Sequence, residues 1–235
     1  MKAVILAGGL GSRLKPFTEV IPKPLLPIGE KSVLEIQIGH LKEHGFNEIF
    51  LATNYKSEYI ENFFGDGSRY GVKLKVSKEE TPLGTVGPIT LLKDELTEPF
   101  LMMNGDVLTL LDFRKMYEFA SKMESLMTVG IKELITPFQF GNIFFNGDYI
   151  TGIQEKPNLK TNILAGIYVF KPGIFSIIPD RTKLDMDELI NQMLGNKIPI
   201  TKYMIHNYWL DIGQIDDYQK AQDIYKELFA NGEQQ

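Results

Sequence analysis

The amino-acid sequence predicts an α/β fold in which a first half built on a parallel sheet covered by helices passes into a more antiparallel second half. Three observations predict it. Apolar strand-like runs alternate with helix-patterned segments up to about residue 123, the connections then shorten, and Asn146-Gly147 marks a tight hairpin. The run over residues 3–7 ends at Gly8-Gly9-Leu10-Gly11-Ser12-Arg13, a buried strand feeding a glycine turn. Ser32 and Glu35 form a capping-box pattern ahead of Ile36, Ile38 and Leu41. Gly45 stops that pattern, so a helix is expected over 32–44. A strand over 48–52, a short helix over 57–64, a strand over 72–77, a helix over 85–93 and a strand over 100–103 continue the alternation. A helix over 112–123 is followed by strands over 126–132, 140–145, 149–155 and 163–170. Helices over 185–194 and 215–229 flank a strand and loop containing Tyr208-Trp209-Leu210-Asp211, and residues 231–235 read as a frayed tail.

Composition narrows the chemistry. The 235 residues are 43% hydrophobic and 23% charged, which suits one soluble domain spanning 1–235 with a real core. No apolar run approaches the roughly 20 residues that cross a bilayer, and the start runs into glycines without a signal-peptide pattern, so the chain reads as cytoplasmic with no membrane partner. With zero cysteines there are no disulfides, thiolate metal sites or cysteine nucleophiles, and His40, His44 and His206 make no zinc set. A net charge of −5 argues against sequence-independent nucleic-acid binding. A small anion held by local cations and N–H donors remains compatible with it.

Several positions draw attention, and each has an ordinary alternative. Glycines 8, 9 and 11 let backbone N–H groups approach an anion and Arg13 can fork onto phosphate oxygens, although a tight turn alone also needs glycine. Leu14 stands where a dinucleotide fingerprint wants its third glycine, which disfavours a nicotinamide oxidoreductase. Asp106 follows a buried strand and should project at the carboxyl edge of the sheet. By themselves Asp106 and Asp211 read first as turn or cap carboxylates, and Glu155-Lys156 as a surface ion pair. Pro157 biases Lys156 toward extended backbone. Trp209 and Tyr208 read as packing residues, and Asp185, Asp216 and Asp217 as helix starts.

Six ordered segments carry a family resemblance. Residues 7–13 with Pro22-Lys23-Pro24, then Pro82-Leu83-Gly84-Thr85, Asn104-Gly105-Asp106, Glu155-Lys156-Pro157, Ala165-Gly166-Ile167-Tyr168 and Trp209-Leu210-Asp211-Ile212-Gly213 resemble the sugar-1-phosphate nucleotidylyltransferases, or NDP-sugar pyrophosphorylases. The resemblance runs from residue 3 to about 225 and looks closest to mannose-1-phosphate guanylyltransferases. It implies a Rossmann-like mixed sheet flanked by helices with an antiparallel sugar-binding portion, the nucleotide-diphospho-sugar transferase fold.

It also implies the reaction: Mg-dependent transfer of a nucleotidyl group from an NTP to a sugar 1-phosphate, with release of pyrophosphate. Arg13, Lys23, Asp106, Lys156 and Asp211 take the catalytic positions, Asp106 and Asp211 as magnesium ligands. Leu6, Ala7, Gly8, Gly9, Gly11, Ser12, Glu79, Pro82, Gly84 and Thr85 join Arg13, Lys23 and Asp106 around the nucleotide. Asn104, Gly141, Glu155, Lys156, Ala165 and Gly166 take the sugar side. Relatives that use thymidylyl or uridylyl groups often carry glutamine where Glu79 stands. A carboxylate only accepts hydrogen bonds and matches the two adjacent donors of guanine, so GTP is the expected nucleotide; the opposing reading turns Glu79 to solvent.

Leu164 in place of the family's asparagine, and Phe140-Gly141-Asn142 in place of Tyr-Gly-Val, leave the acceptor open among mannose-, heptose- and hexosamine-like phosphates. Alternatives are uridylyl, thymidylyl or cytidylyl transfer to glucose 1-phosphate or phosphocholine, and a catalytically silent nucleotide-sugar regulator. Hexapeptide repeats are missing, so acetyltransferase activity is not expected, and homo-oligomerisation is left open.

Overall fold

The structure is a computed structural model describing residues 1–9, 11–54 and 56–228, without the side chains of Lys226 and Leu228. Leu10 of the glycine turn, the last residue of the helix expected over 215–229, and the expected tail lie outside the described residues. The first half contains β1 (Lys2–Leu6), α1 (Phe17–Val20), β2 (Pro27–Ile28), β3 (Lys31–Ser32), α2 (Val33–Glu43), β4 (Glu48–Thr53), α3 (Ser57–Phe64), β5 (Lys73–Lys78), β6 (Phe100–Asn104), β7 (Val107–Thr109) and α4 (Phe113–Lys122). The second contains β8 (Met127–Pro137), β9 (Asn142–Asn146), β10 (Tyr149–Gln154), β11 (Asn158–Phe170), α5 (Met186–Gly195), β12 (Ile200–Met204), β13 (Trp209–Asp211) and α6 (Ile215–Leu228).

Seven strands form one mixed sheet in the order β12-β8-β11-β6-β1-β4-β5. β1 pairs in parallel with β4 and β6, and β4 with β5, while β11 runs antiparallel to both β6 and β8. From β1 the chain first builds outward through β4 and β5, then returns to lay β6 on the other side of β1. That reversal opens a crevice at the carboxyl ends of β1, β4 and β6, where open α/β sheets take their ligands.

Both faces of β1 are buried, as its unbroken apolar run requires. Ala3 and Ile5 pack with Leu34, Ile38 and Leu41 of α2 and with Phe113 and Met116 of α4. Val4 faces the other side, with Phe50, Phe100, Phe170 and the Met186, Leu189 and Met193 stripe of α5. α2 starts where its capping box puts it: Glu35 N–H donates to Ser32 Oγ at 3.2 Å and Ser32 N–H donates to Glu35 Oε2 at 2.8 Å. A third cluster joins Leu14, Leu26 and Ile28 to Leu108, Ile212, Ala221 and Tyr225, so α6 packs under the N-terminal loops.

Several expectations are corrected. Residues 85–93 do not form an α-helix; only a short 3₁₀ turn over Gly87–Leu92 forms, because the N–H groups of Val86 and Gly87 are drawn to Leu184 O at 3.0 and 3.3 Å instead of starting a helix. β8 and β11 extend well past 126–132 and 163–170, pairing from Met127↔Phe170 to Pro137↔Asn158 with an irregularity between Leu164 and Tyr168. β7 and β12 were not expected as strands; each is short and marked by register with a distant partner, not by local pattern. In the hairpin Asn146 pairs with Tyr149, so the turn residues are Gly147-Asp148, with the positive φ of 59° at Gly147. Lys156 is not extended either. Its φ is 43°, because the chain leaves the small β9–β10 sheet and enters the large one within Glu155-Lys156-Pro157. Among the described residues no helix is long and apolar enough to cross a membrane.

Candidate active site

The carboxyl end of β1 sets the site. Ala7 N–H donates to Ala52 O at 2.7 Å and Gly105 N–H donates to Leu6 O at 2.9 Å, which knits the ends of β4 and β6 to β1. A Cβ on Gly105 would lie 2.6 Å from Leu6 O, so only glycine permits this approach. The resulting cleft, about 390 Å³, is lined by Leu6, Gly8 and Gly9 from the turn, Ala52 and Asn54 from the end of β4, Glu79, Pro82, Gly84, Thr85 and Pro88 from the loop after β5, and Asn104 and Asp106 from the end of β6. Nine of the residues expected from the sequence therefore line one cleft: Leu6, Gly8, Gly9, Glu79, Pro82, Gly84, Thr85, Asn104 and Asp106.

The remaining expected residues, Lys23 and Asp211 apart, fall into three groups. Ala7 is buried at the back of the turn, while Gly11 holds φ 61° with its carbonyl accepting from Thr18 Oγ1 at 2.8 Å. Ser12 and Arg13 follow on an exposed 3₁₀ turn. Asn104, Ala165 and Gly166 meet: a Cβ on Gly166 would lie 2.6 Å from Asn104 Nδ2, and Ala165 O accepts from Trp209 Nε1 at 2.8 Å. Glu155, Lys156 and Gly141 do not line the cleft. All three are exposed, and Glu155 Oε2 stands 3.2 Å from where a Gly141 Cβ would be.

The acidic pair is brought together by backbone. β13 lies antiparallel on β7 with Asp211 opposite Val107, and Ile212 N–H donates to Asp106 O at 2.9 Å, so residues 106 and 211 become neighbours across a two-stranded ladder. Lys23, only 9% exposed, pairs with Asp106 Oδ2. Asp106 Oδ1 and Asp211 Oδ1 are buried and have no hydrogen-bond partner among the described residues. Buried carboxylate oxygens are normally satisfied, so two at one point mark a place built for something that supplies positive charge. Burial raises the Asp211 pKa above its ordinary value, the nearby Asp106 charge raises it further, and Lys23 and Arg13 oppose both.

Glu79 does not turn to solvent. It is 8% exposed, its Oε2 accepts from Leu83 N–H at 2.7 Å, its Oε1 lies 3.4 Å from a Cβ built on Gly8, and burial raises its pKa. The loop that carries it is tied to the start of α5. Asp185 caps α5 and also accepts from Thr85 N–H at 3.0 Å, and Met186 N–H donates to Thr85 Oγ1 at 2.8 Å.

Gln37 was not read from the sequence as a site residue. It is 3% exposed on α2 and donates through Nε2 to Asn104 O at 3.0 Å and Val107 O at 2.7 Å, gripping both flanks of the Gly105-Asp106 turn. A polar residue amid the apolar face of a helix was the only available signal. Asn54 was missed as a site residue too, while Asp185, read as a helix start, does cap α5 and adds the bond from Thr85, which depends on which elements meet.

Comparison with known proteins follows the geometry. Residues 2–227 match the family described as Nucleotidyl transferase. The chain is 34% identical over 227 residues to D-glycero-alpha-D-manno-heptose 1-phosphate guanylyltransferase of Aneurinibacillus thermoaerophilus, covering 94% of this chain and 97% of that one. It is 32% identical over 233 residues to mannose-1-phosphate guanylyltransferase catalytic subunit beta of Danio rerio, covering 96% of this chain but spanning only 64% of that relative's length. The crystal structure of HddC from Yersinia pseudotuberculosis complexed with GMP-PN superposes with a TM-score of 0.74 at 28% identity, covering 96% of this chain and 99% of that one.

Two outcomes are expected from this geometry. Gln37→Leu removes both bonds that hold the Asp106 turn and leaves two buried carbonyls short of a donor, costing about 1–3 kcal/mol in urea unfolding; an unchanged midpoint contradicts the positioning role. Asp211 has its folded-state pKa raised, so the stability it contributes is present below the ordinary value of 3.8 and is lost as pH rises through the folded value. In buffer free of divalent cations, Asp211→Asn therefore has a thermal midpoint above wild type at pH 7, and the difference vanishes below pH about 4. Equal midpoints at pH 7 rule out the cost of the buried Asp211 charge.

Proposed function

The chain belongs to the nucleotidyl transferase family, and on that premise we propose that it transfers a guanylyl group from GTP to a sugar 1-phosphate, releasing pyrophosphate. The observation that carries this reading is the pair Asp106 and Asp211, from distant stretches of chain, each with a buried unpartnered oxygen beside the glycine turn.

That donor set fits a magnesium ion, which prefers carboxylate and phosphate oxygens. Held by Asp106 and Asp211, Mg²⁺ supplies positive charge against phosphate oxygens that would otherwise repel one another. The protein's own groups do the rest. N–H groups of the Gly8-Gly9 turn and the Arg13 guanidinium bind the triphosphate, and Lys23, already buried beside Asp106, keeps a cation at the reacting phosphorus. A phosphate oxygen of the sugar 1-phosphate attacks the α-phosphorus, the bond between the α-phosphorus and the α–β bridging oxygen breaks, and pyrophosphate departs carrying that oxygen and its electron pair. Positioning and charge account for the rate, and no side chain forms a covalent intermediate.

Buried Glu79 supports guanine. Glu79 lines the cleft and offers acceptors only, with Oε1 not engaged by Leu83 N–H, complementary to the N–H and NH₂ donors of the guanine edge, and those donors would favour the ionised carboxylate that burial disfavours. On the acceptor side Asn104, Ala165 and Gly166 lie together by the cleft, whereas Lys156 is assigned to the sugar phosphate and Glu155 to the sugar hydroxyls, both from the turn after β10. The heptose and mannose enzymes among the relatives make a manno-configured acceptor the first choice. Such substrates belong to the cytoplasm, where we place the protein.

Asp106→Asn is expected to lower kcat about a thousandfold with unchanged circular dichroism, and to abolish the magnesium-induced rise in thermal midpoint that wild type shows. Activity within tenfold of wild type removes the metal assignment. In pyrophosphate-release assays with GTP, UTP, dTTP, ATP and CTP against mannose, heptose and glucose 1-phosphates, GTP is expected to give the highest kcat/KM. Glu79→Gln should lower the GTP value about tenfold or more. A wild-type preference for UTP or dTTP overturns the guanylyl assignment.

A further inference from the structure

The β9–β10 hairpin is bare on both faces. Phe145, Tyr149 and Ile150 are 74%, 79% and 72% exposed, and Phe140, Phe144 and Ile153 are exposed as well. These six side chains leave on the order of 800 Å² in water. The largest apolar patch on an ordinary monomer is about 300–600 Å². β9 and β10 also make a sheet of their own, so each has an outer edge of unpaired backbone groups. A lone two-stranded sheet is marginal in water unless something packs on it.

We propose that a second copy of this chain covers the hairpin, giving a two-fold dimer. The area fits, because a standard interface draws about 800 Å² from each partner. Charge selects a copy of the same arm. Over residues 131–164, Lys132, Lys156 and Lys160 balance Glu133, Asp148 and Glu155, so two arms meet at net zero although each whole chain carries −5. Asp148 is the only charged residue of the hairpin over 142–154, and it sits in the turn, leaving the apolar faces free of like charges. An interface made of the same patch on both sides is what a two-fold axis requires.

This arrangement reaches the substrate side. Glu155 and Lys156 follow β10 directly, so a covered hairpin also fixes the turn that holds them.

Sedimentation velocity on the full chain tests the proposal independently of activity. At about 10 µM the wild type is expected to sediment with twice the 26.7 kDa chain mass, and Phe145→Ser/Ile150→Ser as a folded monomer. A wild type that stays monomeric at about 100 µM, or a folded variant that still dimerises, overturns it. Should the variant unfold, the decision passes to cross-linking, helped by the absence of native cysteines. Tyr149→Cys with a short bismaleimide should give covalent dimer, whereas Ser176→Cys, exposed elsewhere, should not; equal yields refute the arm interface.

Discussion

The candidate site depends on a ladder of three residue pairs. β7 and β13 are too short to hold together alone, and other contacts reinforce them. Thr109 Oγ1 and Leu110 N–H both donate to Tyr208 O, at 2.8 and 3.1 Å, and Leu108 and Ile212 pack with Leu14, Ala221 and Tyr225 beneath. This small sheet places two carboxylates side by side, and the fold tolerates their repulsion. Hydrophobic burial by α6 supplies the stabilisation that offsets it, while Lys23 and Arg13 reduce it. Local stability is lowered at the proposed metal position, a common feature of functional sites.

The same compromise recurs around the cleft. Gly105 accepts an exact fit against Leu6 O, and Glu79 accepts burial with only one N–H donor to compensate it. Gln37 spends both amide hydrogens on the Asp106 turn and keeps a buried Oε1 without a partner among the described residues. Each holds a group in place at some thermodynamic cost, and the two-sided packing of β1 provides the rigidity behind them.

The central α/β alternation was legible because buried strands and capped helices are written locally. Ser32 with Glu35 and the unbroken run of β1 are plain in the sequence and appear as read. What escaped was decided at a distance. The stretch before residue 93 carries a helix-like pattern, yet its N–H groups find Leu184 O across the fold. Lys156 defies its proline because two sheets must be joined there. Of the cleft lining, Gly8, Gly9, Glu79 and Asp106 were singled out by the family resemblance, since residue type alone also reads as a turn, a cap or a solvent-facing side chain. Gln37 and Asp185 were not, because a helix glutamine and a capping aspartate look the same wherever the chain leads them.

Asp185 has a consequence for how such an enzyme could diversify. One carboxylate both begins α5 and fastens Thr85, so the loop bearing Glu79 is moored to a helix. On the proposed reading of Glu79, letters of the nucleotide alphabet could then be exchanged by rewriting a single loop, with the helix as its anchor and the acidic pair left untouched.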